Sequence, residues 1–292
     1  MLHLDNAGNR RIGIGLITLT TLLFAVLDCS AKWLVRELPV AQVVWLRFAT
    51  HVVITSALLW PVYGRELVRV RDPRLQGLRA LMLGTMTALN FWALQYLQLA
   101  ETGAIQFSVP LLIALLSAWW LGERLDVWRW LAIGAGFFGV LLVVRPGTHG
   151  FHPAILLSVG NALLYACFNM LTRRLAATES PASLQLMSAV GATILLTPFG
   201  LLHWQWPASA STWALIGLCG LCGGLGHFLV AQAHRYASAA TLGPFLYQQI
   251  VYMTLLGWFV FGQVPDALVV TGALVVVASG LSLLWVEMRG RG

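Results

Sequence analysis

The sequence predicts an all-α polytopic membrane protein: ten transmembrane helices arranged as two inverted five-helix repeats. Three observations lead there. Of the 292 residues, 59% are hydrophobic and 10% charged, whereas a soluble domain carries about 25% charged residues. The apolar residues fall into ten runs, each long enough to span a bilayer as a helix. And one short frame occurs twice: LGERLD, Leu121–Asp126, returns 140 residues later as FGQVPD, Phe261–Asp266.

The runs cover roughly 12–34, 39–61, 76–98, 102–121, 126–145, 153–175, 181–202, 212–235, 240–261 and 266–287. Their links are short and marked by proline, glycine or charge, among them Pro39, Pro73, Pro146-Gly147, Pro181, Pro207 and Pro265. No segment reads as a soluble domain. Arg10-Arg11 ahead of the first run imitates a secretory leader, but that run is long, holds Asp28 and lacks a small-residue cleavage pattern, so it reads as a retained helix.

Lysine and arginine near helix ends predict the orientation. With a cytoplasmic N-terminus, the inner set is Arg10, Arg11, Arg65, Arg69, Arg71, Arg74, Arg79, Arg124, Arg129, Arg173, Arg174, Arg235, Arg289 and Arg291; the outer set is Lys32, Arg36 and Arg145. Both termini are therefore expected inside.

Five spans per half is an odd number, so the second half must enter the membrane upside down. The expected repeats are 1–147 and 150–292. At an offset of 140 they share Ala93/Ala233, Tyr96/Tyr236, Gly103/Gly243, Gly122/Gly262 and Asp126/Asp266; an offset of 141 aligns their first spans and pairs Asp28 with Asn169. Charge follows the inversion. The loop with Arg65, Arg69, Arg71 and Arg74 has a counterpart, 203–211, with no Lys or Arg, and Glu-Arg in the first frame becomes Gln-Val in the second. Inverted repeats of this kind build secondary transporters, which bind solute near the midplane between the halves.

LGERLD followed by WRWLAIGAGFFGVLLVVRPG, the LRF of Leu46–Phe48, and YLQLAETGAIQFSVPLLIALLSAWW resemble the EamA-type members of the drug/metabolite transporter superfamily. The resemblance covers nearly the whole chain. It implies the ten-helix 5+5 fold and carriage of a small metabolite. Size and aromatic content look most like the bacterial amino acid exporters, including those for aromatic amino acids.

An ionisable residue inside a spanning helix is a functional candidate by default. At 1.5 Å per residue, Asp28 lies about 24 Å along span 1 and Arg47 about 12 Å along span 2, at similar depth. They could pair, or Lys32, one turn from Asp28, could compete. Such a pair would either orient helices or hold a zwitterionic solute. His51, one turn past Arg47, and His227 in span 8 are proton-relay candidates, or simply hydrogen-bonded core residues.

Polar and aromatic residues mark three further spans. Span 3 carries Asn90, Phe91, Trp92, Gln95, Tyr96 and Gln98; span 6 carries Asn161, Tyr165 and Asn169 on one continuous face; span 9 carries Tyr247, Gln248 and Gln249. Polar stripes should face protein or water, so these are candidate walls of an amphipathic cavity. Interfacial anchoring is the alternative for the Trp and Tyr. Pro110 in span 4 and Gly243-Pro244, read as opening span 9, are hinge candidates, since proline removes a backbone hydrogen bond.

Other patterns are set aside. Gly134-Ala-Gly136-Phe-Phe-Gly139 matches G-x-G-x-x-G but lies inside a span with no preceding strand, and close helix packing explains it better, as for Gly220 and Gly224. Cys219 and Cys222 have C-x-x-C spacing in a small-residue run and read as packing. There is no G-x-x-x-x-G-K-[ST] loop, so movement would follow the gradient of the solute or of a coupled ion. No catalytic set, metal or cofactor is expected, and the +7 charge sits in loops rather than in a nucleic-acid-binding stripe. The competing readings are a transporter of another metabolite class, such as a nucleoside, a carboxylate or a drug, and then an intramembrane enzyme or a channel. Expected partners are the bilayer and a small solute, most simply an amino acid. Small-residue stripes on spans 5 and 10 leave monomer and homodimer both open.

Overall fold

The computed structural model describes residues 7–121, 127–146, 151–176, 178–237 and 239–289. The first repeat contributes α1 (Ala7–Leu34), α2 (Val40–Tyr63), α3 (Pro73–Tyr96), α4 (Leu99–Gln106), α5 (Val109–Leu121) and α6 (Val127–Val144). The second contributes α7 (Ile155–Leu175), α8 (Pro181–Leu202), α9 (Ala210–Tyr236), α10 (Ala239–Leu246), α11 (Gln248–Phe261) and α12 (Ala267–Arg289). Ten of the expected spans are thus present, but spans 4 and 9 are each two helices, α4–α5 and α10–α11. The breaks lie at Phe107–Ser108 and Tyr247, equivalent places in the two halves.

Proline explains where the backbone gives way. Pro110 sits at the second position of α5, where no intrahelical N–H is needed. Pro244 sits inside α10 and denies it one hydrogen bond. Because α10 already begins at Ala239, Gly243-Pro244 does not open span 9; it lies in the last turns before the break. Elsewhere helix starts are capped by short polar side chains: Asp72 accepts from the N–H of Leu75 at 3.0 Å, Ser180 from Ser183 at 3.1 Å and Ser209 from Thr212 at 3.2 Å.

The repeated frame now has a structural reason. Gly262 ends α11 in the left-handed region at φ 63°, a conformation that favours glycine, and its N–H closes onto Gly257 and Trp258. Asp266 then accepts from the N–H groups of Leu268 and Val269 at 2.9 and 3.0 Å and starts α12. Glycine stops one helix and aspartate starts the next. The first copy of the frame, 122–126, lies outside the described residues.

The halves interleave rather than standing apart. Helix α1 packs along α9, α3 along α7, α2 along α8 and α9, and α6 along α12. Each of these pairs joins one repeat to the other. At the end where α1 meets α2, Gln42 donates to the Gln205 carbonyl at 2.6 Å and accepts from its N–H at 2.9 Å. At the opposite end Ser183, 141 residues after Gln42, donates to the Arg69 carbonyl at 2.6 Å. The same device therefore ties a loop of the other half at each end.

Glycines set the closest approaches. A Cβ on Gly139 would lie 2.8 Å from the Gly272 carbonyl, and one on Gly272 2.6 Å from that of Gly139. Ser279 donates to the Ala132 carbonyl beside them. This supports the packing reading of the glycine run, except at Gly134, which has nothing within 4 Å. Gly139 of α6 and Gly272 of α12 thus face each other within one chain. Large apolar side chains such as Trp119, Val53, Leu156 and Phe259 are exposed, as lipid requires.

Candidate functional site

A cavity of about 150 Å³ opens between the repeats, walled by α1, α2, α3, α4, α7, α9 and α11 and by Phe107 at the first break. Its charged groups are Asp28 and Arg47, and its amides are Asn90, Gln106, Asn161 and Gln249. Phe24, Phe91, Phe107 and Tyr165 give aromatic walls, with Leu27, Met86 and Met253 filling between them. Thr87, Thr102 and His227 complete the lining. Repeat-related residues meet here: Phe24 with Tyr165 at the 141 offset, and Thr87 with His227 at 140.

Asp28 and Arg47 are 9% and 5% exposed. They share the cavity without a direct ion pair. Asp28 accepts from Asn90 Nδ2 at 2.9 Å. The Arg47 guanidinium lies over the Phe48 ring at 4.4 Å, while its Nε and Nη1 have no hydrogen-bond partner. Lys32 is not a rival for Asp28. Its ammonium donates to the Leu94 and Leu97 carbonyls at 2.7 and 2.6 Å, at the C-terminal end of α3, where cations are favoured.

Arg47, His51 and Thr55 recur every four residues on α2 and are all buried. They approach α9 where Gly220, Gly223 and Gly224 leave room; a Cβ on Gly223 would lie 3.1 Å from Arg47 Nη2. His51 stands behind the cavity lining, stacked on His227 at 6.3 Å, with neither ring nitrogen hydrogen-bonded. Cys219 and Cys222 are free buried thiols on the same helix, and Cys219 donates to the Leu27 carbonyl at 3.7 Å.

Of the residues singled out in the sequence, the structure brings Asp28, Arg47, Asn90, Phe91, Asn161, Tyr165, His227 and Gln249 to one cavity. It places others elsewhere. Trp92 and Tyr96 are more than half exposed, and Tyr96 stacks on His152 at 5.1 Å; each helical residue turns about 100°, so both point away from the face of Asn90. Gln95 donates to the Val35 carbonyl at 3.2 Å, and Asn169 to the Tyr165 carbonyl of its own helix at 2.7 Å. Tyr247 packs behind Phe107, and Gln248 has a buried, unpartnered Oε1 outside the lining. Sequence reasoning missed Gln106, Phe107 and Met253, which sit beside the two broken spans.

A bundle of apolar helices enclosing an amphipathic cavity at a repeat seam defines a multi-pass membrane transporter of small solutes. The EamA-like transporter family matches residues 11–145 and again 152–285, and the chain belongs to that family. A riboflavin transporter of Vibrio cholerae is 29% identical, over 88% of each chain. An S-adenosylmethionine uptake transporter of Rickettsia bellii is 25% identical over 95% of each. A pseudopaline exporter of Pseudomonas aeruginosa is 26% identical over 93% of this chain and 95% of its own. A solved crystal structure superposes with a TM-score of 0.66 at 18% identity, covering 99% of this chain and all of the other, a likeness of fold.

Proposed function

We propose that the protein is a secondary transporter of small amphipathic metabolites, with amino acids, aromatic ones included, as the favoured cargo and export as its working direction. The observation that carries this reading is the cavity itself: an acid and a base, Asp28 and Arg47, open into one aromatic, amide-lined space. Polar groups that converge between aromatic walls suit a small amphipathic solute of this kind. The relatives' names add support, since S-adenosylmethionine joins an amino-acid end to an aromatic base. In this reading the two repeats, 1–147 and 150–292, sit in a bacterial inner membrane with both termini cytoplasmic. Because they interleave, access alternates by movement at the broken spans rather than by rocking of one half against the other.

Purified protein reconstituted in liposomes tests the assignment. Labelled tryptophan, phenylalanine, riboflavin and S-adenosylmethionine are each offered to vesicles preloaded with the unlabelled compound. Saturable exchange of an amino acid is expected. Saturable exchange of riboflavin alone would move the cargo to another class, and exchange of none of the four would remove the transport reading of this cavity.

A further inference from the structure

The first repeat buries two arginines beside the seam, Arg47 on α2 and Arg79 on α3, and the two are treated differently. Taking the offset of 141 between α2 and α8 and of 140 between α3 and α9, Arg47 corresponds to Ser188 and Arg79 to Cys219. The contact Arg79–Ser188 therefore maps onto Cys219–Arg47. Arg79 is saturated. Its Nε donates to Thr172 at 2.9 Å, and its Nη1 to the Leu184 carbonyl at 2.7 Å and to Ser188, with Phe168 under the guanidinium at 4.3 Å. Arg47 faces a thiol and glycines instead, and thiol sulfur is a weak acceptor. Its Nε and Nη1 are buried without a partner, in a side chain that borders the cavity. A buried charged donor left without an acceptor is costly. The repeat contains the means to satisfy an arginine here and has not used it on Arg47.

We propose that Arg47 is the anion anchor of the cavity, holding a carboxylate of the cargo, and that Arg79 serves packing between the repeats. Asp28, presented by Asn90, takes the cationic end, so a zwitterion lies with its carboxylate toward α2 and its amine toward α1. A guanidinium offers a carboxylate two parallel N–H donors. This inference rests on the transport reading above and adds which group reads which end of the solute.

Three indoles separate the ends: L-tryptophan, tryptamine without the carboxylate, and indole-3-propionate without the amine. Their binding to the full chain in detergent is measured by thermal shift, since a ligand of the folded state raises its stability, alongside riboflavin as a neutral ligand. The wild type is expected to bind tryptophan and indole-3-propionate more tightly than tryptamine. Arg47→Gln is expected to weaken the two carboxylates roughly ten- to a hundredfold and leave tryptamine unchanged. Arg47→Lys, which keeps the charge in the core, should retain part of the preference, and serves if Arg47→Gln does not fold. Arg79→Gln should lower the melting temperature and keep the preference for carboxylates. Equal preference in wild type and Arg47 variants overturns the anchor. Binding of riboflavin but of no carboxylate overturns the anchor and spares the transport reading. Binding of none of the four removes both.

Discussion

Phe107 and Tyr247 are 140 residues apart, each lies at the break of a spanning helix, and their rings pack at 5.2 Å and 40°. Equivalent residues of inverted repeats touch only near the axis that relates the repeats. The two broken spans therefore meet at that axis, and Phe107 carries the contact into the cavity wall. Broken segments at corresponding places are where transporters of this architecture bind and move. Tyr247→Ala removes the partner that holds Phe107. The expected outcome is a stability loss above the roughly 0.5–1.5 kcal/mol of the aromatic pair alone, together with weaker cargo binding, measured by thermal shift with and without ligand. Tyr247→Phe keeps the ring, and its hydroxyl has no partner, so it should bind cargo like the wild type.

Lys32 separates structural from cargo-reading charge. Lys32 is 2% exposed, and its ammonium donates to two main-chain carbonyls at the end of α3. Lys32→Met leaves those carbonyls without their donor, at a cost of about 1–3 kcal/mol. A lower melting temperature with unchanged ligand affinity is expected. A selective loss of affinity at unchanged stability would place Lys32 in the binding site instead.

The α6–α12 contact makes a third prediction. Gly139→Ala puts a methyl 2.8 Å from the Gly272 carbonyl, too close without a backbone shift, and overpacking of this kind costs about 1–3 kcal/mol. Gly134→Ala, on the same helix with open space around it, should be neutral or slightly stabilising, because alanine favours helix over glycine. Unfolding of the two variants in the same detergent distinguishes a packed glycine face from a merely small-residue run.

The fold was legible because lipid enforces it. Twenty apolar residues in a row have few alternatives to a spanning helix, and the charge asymmetry of the loops carried the inversion. Asp28 and Arg47 stood out because charge is expensive inside an apolar run. The rest of the site was hidden for a geometric reason. A residue's place along a span gives its depth, but its facing depends on which neighbour the helix meets, and here most neighbours belong to the other repeat. Trp92 was mid-run and still faces outward. Gln106 and Phe107 lie where α4 ends, so what they face depends on where the span breaks, and Met253 lies beyond the second break, which resets the helical phase after Tyr247. The unpartnered state of Arg47 could not be read from sequence, because it depends on what α9 fails to offer.

The contact of Arg145 with Asp266 gives the pH prediction. It joins the link after α6 to the start of α12, at the end of the bundle where the frame is repeated. The Arg145 hydrogen bond holds the Asp266 carboxyl below its ordinary value, helped by the N–H of Val269 and of Leu268. A carboxyl held low in the folded chain stabilises the fold above the unfolded value of about 3.9, and the contribution fades as pH falls through the folded value. Asp266 is exposed, so solvent screening keeps the effect under about 1 kcal/mol. Melting temperatures of the wild type and Asp266→Asn, followed from pH 7 to pH 3, should differ by a small constant amount near neutrality and converge at the acid end. Asparagine still caps α12, which isolates the charge. Curves that run parallel down to pH 3 would show that the carboxylate's ionisation contributes nothing and that Asp266 acts through its cap alone.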